Sequence, residues 1–385
     1  MAKRQADVHN SLQFGMIKIE EVQTGKQLRD FIKFPFRIYQ DNPYWIPPLF
    51  HDEITTLKKN PAFLHCDKKY WLVKKEGEVV GRIAGIINRK ENTNTGGKYA
   101  RFGWLDFIDD PAVSKALLQQ IENWAKEHSL SHVHGPLGFT DLDKQGLLIE
   151  GFEELGTFAT LYNHPYYLAH LEANGYEKSA DWFEFEITVP EKMPDRVSEF
   201  AAKVAERFGL KHVEAKNAKA IKPYAGQVFQ LLNEAYSHLY GFVQLTEAQV
   251  KFYTDQYFTF INPDFVSLIV NQENEVIAFG LTMPSLSEAL QKAKGRLLPF
   301  GFIHIIKALK KNDRADFYLI AIRKDFQRKG VHVMIFEKIM HSFLKFGIKK
   351  VETNPELETN IQIQAIWKDY QPRNHKKRRC FIKAL

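Results

Sequence analysis

One succession of elements occurs twice along these 385 residues, and that repetition limits the available folds more than any other feature. Each half begins with a short apolar strand, Met16–Val22 in one and Leu210–Glu214 in the other. A helical pattern follows, through Leu28–Tyr39 and Ile221–Tyr236. Apolar runs then flank a polar Gly, Asn or Glu turn at Trp71–Ile87 and again at Ser267–Thr282, which is a hairpin pattern. Phe102–Phe107 and Phe317–Ile322 are strands that each lead into a helix, and Asn163–Tyr176 and Asn360–Tyr370 hold matching places further on. Each half thus reads strand, helix, hairpin, strand, helix, strand, helix, strand. The expectation is an α/β fold of two tandem domains, each a central mixed sheet flanked by helices. Pro190 and Pro194 interrupt a polar stretch and end the strand Trp182–Thr188. They place a tail at residues 1–15, a first domain at 16–190 and a second at 191–385.

The halves differ where the strand after the hairpin meets its helix. In the second half the chain leaves Phe317–Ile322 through a basic loop, Arg323 to Val331, with Gly330 at its tight point. It opens directly into a helix at about His332–Phe346. A helix start offers unpaired N–H groups and the positive end of the dipole, a combination that suits phosphate. Alone, the loop is equally an ordinary turn with solvated Lys and Arg. In the first half the same place reads Ile108-Asp109-Asp110-Pro111. Two carboxylates there repel phosphate, and no glycine lets the backbone approach. Asp109 and Asp110 read instead as caps for the helix Ala112–His128, with Pro111 in its first turn.

The run Gln327-Arg328-Lys329-Gly330-Val331-His332, between strand and helix, resembles the cofactor motif of the GNAT superfamily of acyl-CoA N-acyltransferases, Gln/Arg-x-x-Gly-x-Gly/Ala. Five positions fit, and His332 stands where a small residue is usual. Asn360, Ala365 and Trp367 resemble the Asn, Ala and aromatic of the family's later helix. The segments Phe34–Tyr39, Pro43–Leu49 and Gly146–Phe152 look like a bacterial tandem-GNAT family without a settled function.

The resemblance implies two tandem GNAT-like domains with acetyl-CoA or another acyl-CoA as co-substrate in the second only. The loop amides from Gln327 through Arg328, Lys329, Gly330 and Val331 to His332 would hold its pyrophosphate. Ala321 and Ile322 on the preceding strand, with Asn360, would complete the cofactor site. The implied reaction is attack of an amine on the thioester, the protein holding both together and binding the oxyanion with backbone N–H groups. A carboxylate removes the amine proton; Glu352 is the expected base, with Glu356 a second candidate, and surface or capping roles are open to both. The family's tyrosine acid is matched by Trp367, which has no such proton to give, and Tyr370, one turn on, is the expected substitute. Tyr236, Tyr240, Phe242 and Asn354 are the expected acceptor contacts, with helix packing as the alternative for the three aromatics. The acceptor is then an amine of a small molecule or peptide. The other readings are an aminoacyl-tRNA-dependent transferase and a GNAT-fold protein that binds without turnover.

Bulk properties agree with a globular pair of domains. No apolar run approaches the ~20 residues of a membrane span, so no membrane partner is expected. Cys66 and Cys380 are the two cysteines; far apart in sequence, they suit thiols in a reducing cytoplasm. His128, His132 and His134 lack an evident third-ligand set, so no metal is expected. Net charge is +7, and cations crowd the C-terminus at Arg373, Lys376, Lys377, Arg378, Arg379 and Lys383. They suit either a polyanion such as tRNA or a solvated turn before the last strand. The turn is favoured, because aromatics for stacking bases are not interleaved.

Overall fold

A computed structural model describes residues 17–258, 261–367 and 370–385; the expected tail at 1–15 lies outside them. The strands of the first half are β1 (Ile17–Glu21), β2 (Cys66–Lys75), β3 (Glu78–Asn88), β4 (Tyr99–Phe107), β5 (His132–Gly135), β6 (Leu147–Glu150) and β7 (Glu177–Thr188). Those of the second are β8 (Lys211–His212), β9 (Val266–Val270), β10 (Val276–Pro284), β11 (Arg314–Ile322), β12 (Lys350–Thr353), β13 (Glu356–Leu357) and β14 (Arg373–Ala384). All fourteen form one mixed sheet in the order β1-β2-β3-β4-β5-β14-β7-β12-β11-β10-β9-β8, with β6 on β14 and β13 on β7.

Each half contains one parallel pair, β4 with β5 and β11 with β12. A parallel pair needs a long crossover, and the helices Pro111–Glu127 and Val331–Phe346 supply it. Their apolar residues recur at helical spacing and bury against the sheet: Val113, Leu117 and Ile121 in one, Ile335, Ile339 and Phe343 in the other. A glycine under each helix permits the contact. A Cβ on Gly85 of β3 would lie 2.5 Å from Ile121 Cδ1, and one on Gly280 of β10 would lie 2.5 Å from Ile335 Cγ2. The repeated order thus reflects a repeated packing solution.

The last strands are exchanged. Strand β7 closes the first half in sequence, yet it pairs antiparallel with β12 of the second half. Strand β14 closes the chain, yet it pairs antiparallel with β5 of the first. The two then pair with each other, Arg373 opposite Glu186 and Arg379 opposite Asp181. The C-terminal cations are therefore a strand and not a turn, and acids of β7 meet them. Arg379 lies 2.8 Å from Asp181, Arg373 3.2 Å from Glu186, and the buried Arg378 bonds the buried Glu184. A solvated turn does not describe them.

Candidate active site

Strands β11 and β12 are in register only from Arg314–Phe317 against Lys350–Thr353, and beyond that they part. Asn354 stands at the opening: its N–H donates to Phe317 O (3.0 Å) and its Nδ2 to Tyr318 O (3.1 Å). On the helix Ala225–Tyr236, the Tyr236 hydroxyl donates to Ile320 O (3.1 Å) and accepts from Ile320 N (3.4 Å). Burial raises the Tyr236 phenol above its ordinary pKa; the Ile320 backbone bond opposes this, and the charges of Asp141 and Glu356 add to it. Those two carboxylates therefore lie within electrostatic reach of the same hydroxyl. Ala321 is buried in the strand, and Ile322 O accepts from Gln327 Nε2 (3.0 Å) at the loop's root.

The loop ends at Gly330, the N-cap of Val331–Phe346, with φ 84° and no capping side chain. Arg328 and Lys329 are exposed, and His332 is half-buried with its pKa lowered by burial. A Cβ on Gly330 would meet Phe200 at 2.9 Å and Val204 at 3.2 Å, both on the helix Asp195–Phe208. Gly330 thus serves the positive φ and the approach of that helix, so a side chain there points toward Phe200. In the first half, Asp110 caps Pro111–Glu127 by accepting from Ala112 N (2.9 Å), while Asp109 bonds His170 (2.8 Å) and is not a cap.

The acid–base residues are arranged otherwise than the sequence predicts. Glu352 bonds the buried Lys376 and lies 3.3 Å from His375. Burial favours its neutral form, but Lys376 and His375 outweigh that and hold its pKa at about 2. The Glu352 carboxylate is thus tied into an ion pair with Lys376 beside His375. Glu356 is the opposite case: burial pushes it up to about 8, only partly offset by hydrogen bonds from Trp367 and Thr353. Trp367 Nε1 donates to Glu356 Oε1 at 2.6 Å. Tyr370 packs on the second-half core and does not line the cavity described next. Asn360 directly precedes the helix Ile361–Trp367, and its carbonyl accepts from Gln364 N.

A cavity of about 420 Å³ lies between the halves and reaches Tyr236, Tyr318 and Asn354 at the parting of β11 and β12. Its volume falls in the ~300–1,000 Å³ range of small-molecule sites. One wall is apolar: Val228, Leu232, Phe279, Leu281, Met283 and Leu290. Pro35, Tyr39, Trp45, Pro48 and Leu49 of the first half also line it. The charged lining residues are Asp52, Glu53, Asp141, Asp143 and Lys144, with Arg82 paired to Asp106. Burial raises Asp52, Asp141 and Asp143, the last to about 6, and lowers Lys144 to about 8.

Of the expected acceptor contacts, Tyr236 and Asn354 line this cavity. Tyr240 does not; its hydroxyl is held by His134 Nδ1 (2.9 Å) and Ser179 Oγ (2.8 Å) near the exchanged strands. Phe242 packs on Tyr236 in the adjoining core. Sequence reasoning missed Asp141, Asp143 and Lys144, whose only signal was charge within an otherwise apolar and glycine-rich stretch. Among the described residues, no group of three or more His, Cys, Asp or Glu is placed to hold a metal.

A parallel strand pair joined by a crossover helix, twice over in one sheet, matches known structures. A tandem GNAT protein from the clavulanic acid biosynthesis pathway superposes with a TM-score of 0.56 at 13% identity, covering 96% of this chain and 98% of that one. The fold is a tandem GNAT fold. A GCN5-related N-acetyltransferase from Sphaerobacter thermophilus gives 0.51 at 10% identity, covering 96% and 95%. Among curated proteins, Protein YghO of Escherichia coli K12 is 29% identical over 370 residues, 93% of each chain. The bacterial ceramide synthase of Caulobacter vibrioides is 28% identical over 383 residues, 96% of this chain and 98% of that one. No family model matches.

Proposed function

We propose that this tandem GNAT protein is an acyl-CoA-dependent N-acyltransferase whose substrates include a long hydrocarbon chain. The observation that carries the reading is the cavity, mostly apolar in its lining with several acidic side chains, that reaches the parting of β11 and β12. Full-length similarity to a bacterial ceramide synthase supports the lipid character of the substrate. In this reading the Gln327–His332 loop, with its uncapped helix start, holds the pyrophosphate of coenzyme A. The second half alone binds it, because Asp109 and Asp110 occupy the matching place in the first.

The amine attacks the thioester carbonyl at the parting of the strands, where backbone N–H groups of β11 face the developing oxyanion. The acidic side chains of the cavity draw a protonated amine, and Asp141 accepts the first of the two protons it must lose, which frees the nucleophile. Glu356, next in sequence to the cavity-lining Pro355, then donates a proton to the leaving thiolate and regains one from the attacking nitrogen, the second that the amine loses. Its pKa of about 8 keeps it neutral at pH 7, and it is bonded to Trp367, which stands where the family has its tyrosine. These assignments replace Glu352 and Tyr370. The internal pairing of the C-terminal cations leaves no observation that favours a tRNA donor.

The test is release of free thiol by the purified chain, supplied with acyl-CoAs of graded length and with short and long-chain amines. Turnover that requires both substrates and rises with chain length is expected. Turnover confined to acetyl-CoA and short amines would overturn the lipid reading. No turnover with any pair, despite coenzyme A binding, would make the protein a non-catalytic binder.

A further inference from the structure

We infer that the segment Arg296–Lys311 docks the protein on an anionic phospholipid bilayer beside the cavity. Soluble proteins scatter exposed apolar side chains singly, and contiguous clusters mark interaction surfaces. Of the eight large hydrophobic residues exposed among the described residues, five fall between Leu298 and Ile306. Leu298 is 77% exposed and Phe300 70%, and Phe302, Ile303 and Ile306 follow on the helix Gly301–Lys310. Phe302 and Ile306 are one turn apart, so they share a face. The opposite face is committed to the fold: Gly301 and Ile305 are buried, and Ile305 packs with Leu49, Leu286 and Leu290.

Charge identifies the partner. Lys294, Arg296, Lys307, Lys310 and Lys311 are exposed around the apolar residues. No Asp or Glu occurs from Ala289 to Asn312. Among the described residues, none of these five cations is in an ion pair, whereas Lys292, at the margin, pairs with Glu288 at 3.2 Å. Apolar residues ringed by unpaired lysine and arginine are the composition of helices that lie in a membrane interface, and the cations meet the negative surface of anionic lipid. A second copy of the chain would bring the same positive charges together. No helix of the described residues is long and apolar enough to cross a membrane, so the contact is with its surface. Leu297 and Ile305 from this segment also line the cavity. The docked face therefore adjoins the place where a hydrocarbon chain would enter.

The experiment is co-sedimentation of the full chain with vesicles of phosphatidylcholine alone, and of phosphatidylcholine with roughly a third phosphatidylglycerol. Binding to the anionic vesicles, weakened by salt and slight on the neutral ones, is expected. Two double variants, Leu298→Ser with Phe300→Ser and Lys307→Glu with Lys310→Glu, should each bind at least roughly tenfold more weakly, with unchanged thermal unfolding. Absence of binding to anionic vesicles, or equal binding by wild type and both variants, would overturn the inference. So would sedimentation velocity without lipid showing a wild-type dimer that the serine variant dissociates, since a second copy would then own the surface. The readout needs no acyl transfer, so it stands or falls apart from the enzymatic reading.

Discussion

At the residue scale, two nearby glutamates are driven in opposite directions by their neighbours. Glu352 is ionised against Lys376 and His375, and Glu356 is kept neutral by burial near Trp367. The sign for Glu356 follows from linkage. Its pKa is about 8 in the fold, against an ordinary value of 4.5, so the folded state binds the extra proton. Its contribution to stability is whole below pH 4.5 and is lost as pH rises toward 8. Glu356→Gln should remove that part of the alkaline decline, read as thermal midpoints of variant and wild type between pH 5 and 9. The same variant should slow turnover by ~10²–10⁴-fold if Glu356 is the acid, with coenzyme A affinity retained. Equal rates would leave Glu356 as packing only. Gly330→Ala has a different signature: a φ of 84° and a contact of 2.9 Å with Phe200 should distort the loop. Coenzyme A binding should weaken by calorimetry, and stability should fall by about 1 kcal/mol or more.

At the element scale, the exchanged strands make each half depend on the other. Strand β14 is held by β5 and β7, and its Arg378 and Lys376 are buried with Glu184 between them. Removing one member of a buried ion group leaves the others uncompensated, at a cost of about 3–5 kcal/mol. Glu184→Gln should therefore lower the urea midpoint sharply, and a loss under 1 kcal/mol would contradict the pairing. The strand–loop–helix units were legible in sequence because they are set by local signals: apolar alternation, Gly330 at the tight point, and Asp110 with Pro111 at a helix start. The exchange was not legible. Both strands alternate well enough to pair on either side, and Asp181 and Glu184, which pair with Arg379 and Arg378, lie nearly two hundred residues earlier. Without those partners, the cations looked like surface charge.

At the scale of the whole molecule, the cavity is lined by both halves, and the proposed reaction is placed there. The cavity draws Tyr39 and Trp45 from one half and Leu232 and Phe279 from the other. Of the expected acceptor contacts, Tyr236 and Asn354 line the cavity, and a helix end and a strand end marked them in the sequence. Asp141 and Lys144 were not so marked, since nothing local tells a buried charge from a solvated one. If the apolar wall receives hydrocarbon, then Leu281→Trp should shorten the longest chain turned over and raise KM for long substrates roughly 5–100-fold, the usual range for overpacking. Short-chain KM should be nearly unchanged. The most direct measurement of the central claim is calorimetric titration of the purified chain with coenzyme A, acetyl-CoA and palmitoyl-CoA. Binding of one equivalent per chain, tighter with the long acyl group and weakened by Gly330→Ala, is the predicted result. No heat with any of the three would contradict the account.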